Sequence, residues 1–316
     1  MGDTLADGEV SADRLSGMVA DSIKTGMEIC TGMVTREILR ALENPLVSVY
    51  LDKGMTPYIA AAGALAFSGK EINDEGIGKL LTAVGITPNQ NFLSALGKLR
   101  YTNELVYITA LQYLKLNGRP EGISGVMDVV RSLDVPPDQR LAGYVIEYSH
   151  EYGSRPPDRV GMELNMEGPD RKFFRRIYLG MLDLSHSMAE LAARELNNTL
   201  EACAEKAPAN ASMVPYIGAI GVLAFTGRVM TPDNIGRVVS SLGIEPDAKM
   251  LSDITPPRFK NPVVYLISLY YLYGIEHRID ADSISRVAGA LGVEPDPMMS
   301  GYVLAYYKSK NAMGVR

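Results

Sequence analysis

The stretch Pro57–Pro88, PYIAAAGALAFSGKEINDEGIGKLLTAVGITP, returns at Pro215–Pro246 as PYIGAIGVLAFTGRVMTPDNIGRVVSSLGIEP. The displacement is 158 residues, half of the 316-residue chain. Between positions 55 and 94 the two halves share 17 of 40 residues at that displacement, far above the handful that unrelated sequences share. Looser copies begin at Tyr107 and Tyr265. Tyr58 corresponds to Tyr107, Leu65 to Leu114, Gly69 to Gly118 and Pro88 to Pro137. A period of about 49 residues marks one supersecondary unit used four times.

Each copy reads as short helices separated by turn residues. Thr56 suits an N-cap and Pro57 the first helical position. Tyr58–Ser68 is then apolar nearly all round, as in a helix buried on several sides. Gly69 suits the residue just past a helix end. Asn73 caps a second helix over Asp74–Val84, with Ile77, Leu80 and Leu81 on one face, and Gly85 stops it. Thr87-Pro88 opens a third, carrying Phe92, Leu93 and Leu96. Asn103 caps Glu104–Leu116, where the unit starts again. Thr231 and Asp280 take the capping place in the third and fourth copies. Tyr58, Leu65 and Phe67 are core candidates.

Two long amphipathic helices precede the copy pairs, over Asp13–Glu43 and Phe173–Ala204. Asn44-Pro45 ends the first. The expected fold is all-α and internally duplicated, with four copies and two long helices. Residues 1–11 read as a polar, disordered tail, 12–152 as the first helical domain, 153–171 as a Pro/Gly-rich linker and 172–316 as the second domain. The β-branched runs Val47–Tyr50 and Val263–Ser268 are too short to change this, and the second aligns with helix in the other copies.

Hydrophobic residues make up 47% of the chain and charged residues 22%, an ordinary globular balance. The net charge of −6 argues against broad electrostatic attachment to nucleic acid or an anionic membrane. The acidic start, MGDTLADGEVSAD, has no apolar run, and a cytoplasmic location is expected. Cys30 and Cys203 cannot build a disulfide framework and read as buried free thiols. No cofactor or metal is expected. The Gly227–Asp233 turn has a faint likeness to part of a calcium loop, but Ala224, Phe225 and Thr226 stand where carboxylates are needed.

Tyr58-Ile59, Ala64-Leu65, Gly69-Lys70-Glu71-Ile72, the helix Asp74–Val84 and Gly85-Ile86 together resemble the amino-terminal dimerisation domain of the acidic stalk proteins of archaeal and eukaryotic ribosomes. The likeness covers about 45 residues of each copy. It implies a small helical fold and pairwise association, with two copies in one chain imitating a dimer. It does not imply stalk function. The Ala/Gly hinge and acidic tail that recruit translation factors have no counterpart here, where the last residues include Lys308-Ser309-Lys310 and Arg316.

Several residues are candidates for recognition or chemistry. Arg100-Tyr101-Thr102-Asn103 recurs as Arg258-Phe259-Lys260-Asn261. Arginine beside an aromatic ring can anchor a protein interface or stack a base. Arg171, Lys172, Arg175 and Arg176 crowd the start of the second long helix, where positive charge opposes the helix dipole. Asp183, His186 and Glu190 share one helix face and could supply ligands or an acid/base pair. The matching first-half positions hold Thr25, Glu28 and Gly32, which favours an ordinary solvated face. Arg36-Glu37 and Arg194-Glu195 recur as surface ion pairs. The tyrosines Tyr265, Tyr270, Tyr271, Tyr273, Tyr302, Tyr306 and Tyr307 read first as core.

Three functional readings remain open at this level. The first is a non-enzymatic interaction or scaffold protein, with a protein partner and a link to a ribosomal or RNA–protein assembly. The second is a small-molecule or metal-binding enzyme or sensor, with its site between the halves around Asp183, His186 and Glu190. The third is an RNA-binding protein using Arg100, Arg258 and the 171–176 cluster. Self-association is compatible with all three.

Overall fold

The computed structural model describes residues 53–96, 103–153, 211–253 and 262–312, with scattered helical positions between 14 and 33 and between 183 and 190. The described residues are all-α, with no strand among them. They form four sets of three helices. The first set is α1 (Thr56–Phe67), α2 (Asp74–Ala83) and α3 (Gln90–Leu96), and the second is α4 (Glu104–Leu116), α5 (Ile123–Ser132) and α6 (Gln139–Gly153). The third is α7 (Val214–Phe225), α8 (Pro232–Ser240) and α9 (Ala248–Asp253), and the fourth α10 (Pro262–Gly274), α11 (Ala281–Ala290) and α12 (Pro297–Ala312). The Val263–Ser268 run lies inside α10, so its β-branched residues are helical.

Each set is held by the same device. The hydroxyl oxygen of a buried tyrosine on the first helix accepts a hydrogen bond from a backbone N–H 31 residues later. Tyr58 accepts from Asn89, Tyr107 from Asp138, Tyr216 from Asp247 and Tyr265 from Asp296, at 2.5–2.8 Å. Each donating residue turns its own side chain onto the start of the third helix. Asp138 accepts from Arg140 and Leu141, Asp247 from Lys249 and Met250, and Asp296 from Met298 and Met299. One bond therefore fixes the capping residue of the third helix against the wall of the first. Such a bond contributes about 1 kcal/mol, and burying the ring contributes more. Burial also pushes the Tyr107 and Tyr265 hydroxyls up, so they stay protonated.

The turns between helices repeat as closely. Gly69, Gly118, Gly227 and Glu276 close the first helices with positive φ, and Gly85, Asp134, Gly243 and Gly292 close the second. The left-handed conformation suits glycine. Asp134 and Glu276 adopt it with a side chain. The second-helix caps match the sequence reading: Asn73, Thr231 and Asp280 accept from the backbones of Gly76, Asn234 and Ser283.

Two local expectations are corrected. Thr56 is not a cap but the first helical residue, because a 3-10 turn over Lys53–Met55 runs straight into α1. Its third-copy counterpart Val214 likewise follows a 3-10 turn, Ala211–Met213. Asn103, ahead of α4, has φ +69, outside the extended region usual for an N-cap.

Packing divides the described residues into two compact units. Unit one takes those within Met1–Ile29, Leu105–Arg155 and His186–Lys260, and unit two those within Cys30–Glu104, Pro156–Ser185 and Asn261–Arg316. Unit one thus pairs the second set with the third, and unit two the first with the fourth. The units cross the expected domains 12–152 and 172–316 rather than follow them. All four copies offer similar apolar faces, so face chemistry alone does not decide which copies pair. The 1–11 tail and the 153–171 linker, apart from Gly153 at the end of α6, lie outside the described residues.

In unit two α1 packs on α10 and α2 on α11. In unit one α5 packs on α8. Tyr58, Leu65 and Phe67 are all buried, as are Tyr265, Tyr270 and Tyr271, while Tyr273 is 48% exposed. Cys30 is a buried free thiol, and burial pushes its pKa up. Cys203 lies outside the described residues. No described helix is long and apolar enough to cross a membrane.

Candidate functional site

The sequence-derived recognition residues Arg100, Tyr101, Arg258, Phe259, Arg171, Lys172, Arg175 and Arg176 all lie outside the described residues, as do Arg36-Glu37 and Arg194-Glu195. Asp183, His186 and Glu190 are all among the described residues, and Asp183 and His186 bond to different partners. Asp183 belongs to unit two, where its Oδ2 accepts a 2.7 Å hydrogen bond from the Tyr270 hydroxyl. His186 belongs to unit one, and its Nε2 lies 3.2 Å from Glu28 Oε1. Glu28 is the first-half counterpart of His186, so equivalent positions of the two halves face each other there. Glu190 is exposed. Among the described residues no group of three His, Cys, Asp or Glu side chains is arranged to hold a metal ion.

The site that does emerge is a small cavity in unit one, of about 20 Å³. Ser22 and Gly26 line it from the first long-helix region, Thr109, Gln112 and Tyr113 from α4, and Gly218 from α7. Sequence reasoning missed it. The available signal was Gln112 itself, an amide in the otherwise apolar face of ELVYITALQYLKL.

Glycine shapes two walls. A Cβ on Gly218 would lie 2.9 Å from Tyr113 Cε2 and 3.0 Å from Leu116 Cδ2, and one on Gly26 would lie 3.1 Å from Gln112 Cγ. Tyr113 spans from α4 to the other copy, donating from its hydroxyl to the Pro215 carbonyl at 2.9 Å. Burial pushes this phenol well above its ordinary range. Thr109 donates back to Leu105 O at 2.6 Å, and Ser22 donates weakly to Gln112 O at 3.4 Å. Gln112 is buried, and its side-chain Nε2 has no hydrogen-bond acceptor among the described residues. These lining groups are neutral at physiological pH. They can hold a small uncharged molecule by hydrogen bonds, but they do not supply an acid–base pair.

Unit one also carries its polar ties between copies. Arg237 makes a two-pronged ion pair with Asp134, at 2.7 and 2.9 Å. Arg228, mostly covered, donates to the carbonyls of Leu133 and Thr226. On the second set's surface Glu121 Oε2 is shared by Lys115 at 3.1 Å and His150 at 3.2 Å.

No family model matches this chain, and no curated protein or solved structure is significantly similar to it.

Proposed function

We propose that this protein is a non-enzymatic interaction or scaffold protein, working with a protein partner in a ribosomal or other RNA–protein assembly. The observation that carries this reading is the pairing of three-helix sets inside one chain. In unit two α1 meets α10 and α2 meets α11, helix on corresponding helix, as two subunits of a helical dimer would pair. A covalently joined pair is already organised, so a partner does not have to drive its assembly.

Within the sets, many polar side chains serve the fold itself, as caps and clasps. Recognition then falls to the segments between them. Arg100-Tyr101 and Arg258-Phe259 hold the same place in each half, and Arg171, Lys172, Arg175 and Arg176 precede the second long helix. Arginine and tyrosine are the common anchors of protein interfaces. The net charge of −6 favours a protein over bare nucleic acid as the first contact.

The test is affinity capture from source-cell lysate at gentle salt, with native mass spectrometry of the eluate. The full chain is compared with its Arg100→Ala/Arg258→Ala variant. We expect defined protein partners to be retained by the full chain and lost by the variant, with unchanged thermal unfolding of the variant. Recovery of no macromolecule, or equal recovery by both chains, overturns the reading. Recovery that disappears on nuclease treatment supports direct RNA binding instead.

A further inference from the structure

We infer that the unit-one cavity is a binding site for one ordered water, which ties Gln112 to the first long-helix region. The inference is independent of the scaffold reading.

It rests first on Gln112, which is 6% exposed and whose Nε2 lacks an acceptor among the described residues. A buried amide donor left unmade is costly, and such groups are usually satisfied by protein or by an internal water. It rests second on the space beside that side chain. A cavity of about 20 Å³ exceeds the minimum one water needs, and its largely apolar lining, with Val19, Leu116, Val222 and Phe225, also includes the polar residues Ser22, Thr109 and Gln112. Both hydroxyls donate elsewhere, so their oxygens remain able to accept from a water. The Gln112 nitrogen is buried and Gln112 lines the cavity, and the broad terminal torsion of glutamine lets its carboxamide turn without leaving its rotamer well.

Unit two supplies the third argument. The second-half counterpart of Gln112 is Tyr270. Its longer side chain reaches Asp183, on the second long-helix region, through a direct 2.7 Å bond. Asp183 corresponds to Thr25, three residues from Ser22 and next to Gly26. Unit one thus has a shorter side chain on α4 and a glycine beside the shorter partner position, and a cavity lies between them. A water completes there the link that a phenol and a carboxylate make directly in unit two.

The experiment uses the intact chain. Gln90, Gln112 and Gln139 are its three glutamines, so selective side-chain ¹⁵N labelling gives a short, assignable amide spectrum. Water–amide NOE and ROE spectra are recorded for the wild type and for Gln112→Leu. We expect the Gln112 amide protons to show cross-peaks with the sign of a long-lived water. The exposed Gln90 and Gln139 should show only the signature of rapidly exchanging surface water. In Gln112→Leu the long-lived signal should be lost and Tm should hold or rise, since the amide and its water go together. A Gln112 amide without a long-lived water contact overturns the site. So does a fall in Tm of several degrees on Gln112→Leu, which would mean that the amide has a protein partner.

Discussion

Unit one places Gln112 and Tyr113 on α4 and Gly218 on α7. Unit two places Tyr270 and Tyr271 on α10 and Ala60 on α1 at the corresponding positions. The Tyr113 hydroxyl donates to the Pro215 carbonyl, whereas the Tyr271 hydroxyl is buried without a hydrogen-bond partner among the described residues. The charged ties differ in the same way. In unit one Arg237 crosses to Asp134 of the other copy. In unit two the counterpart Lys79 turns back to Glu75 on its own helix, and Gly292 stands in the place of Asp134. One copy design therefore supports two kinds of pairing. In unit one the close approach of α7 to α4 at Gly218 is accompanied by polar side-chain bridges and a small cavity. In unit two α1 packs on α10, and the charged side chain at the Arg237 position stays on its own helix.

The sharpest way to break this contrast is to give unit one the alanine that unit two carries. Gly218→Ala forces a Cβ against Tyr113 at 2.9 Å. We expect a loss of ~1–3 kcal/mol in denaturant unfolding, typical of overpacking. A neutral result would mean that Tyr113 moves aside at no cost and that the close approach does not define unit one.

A smaller effect separates the two tyrosines. Tyr113→Phe removes a buried donor from Pro215 O, and a loss of about 1 kcal/mol is expected. Tyr271→Phe removes a hydroxyl that is buried without return, so its Tm should stay level or rise. Equal losses in the two variants would place a partner on Tyr271 and remove the distinction.

The smallest effect concerns Asp134. The hydrogen bond from Arg237 holds its carboxyl below the usual aspartate range. A depressed carboxyl stabilises the fold above the unfolded-state pKa, and that stabilisation is lost as pH falls through the folded value. The pair is largely solvent-exposed, so Asp134→Asn should cost less than about 1 kcal/mol at neutral pH. The gap between wild type and variant should close in urea melts run below the carboxylate range. A gap that persists there would assign the effect to backbone strain at Asp134, not to charge.

Helix identity and most helix ends were legible because local chemistry sets them. Asn73, Thr231 and Asp280 cap where their side chains can reach the first turn. Gly69 and Gly85 end helices because they take positive φ. Tyr58 and Pro88 were each visible as recurring residues, but their connection was not. The tyrosine bonds the residue after the proline, and a bond across 31 positions leaves no local periodic trace. The pairing of copies was hidden for a related reason, since four similar apolar faces fit one another in more than one combination. Gln112 escaped notice because a single amide in an apolar helix gains meaning only from what stands opposite it.

The order of synthesis meets the crossed pairing of unit two in a demanding way. Of the four sets, the first to leave the ribosome, α1 to α3, belongs with α10 to α12, which follow the other three. Unit one, by contrast, has all its parts once Lys260 has been added. The almost wholly apolar α1 must wait for its partner while most of the chain is being made, a setting in which exposed apolar surface invites aggregation. Long-range closure of this kind is also slow. The protein's dependence on chaperones during translation should therefore centre on α1 to α3.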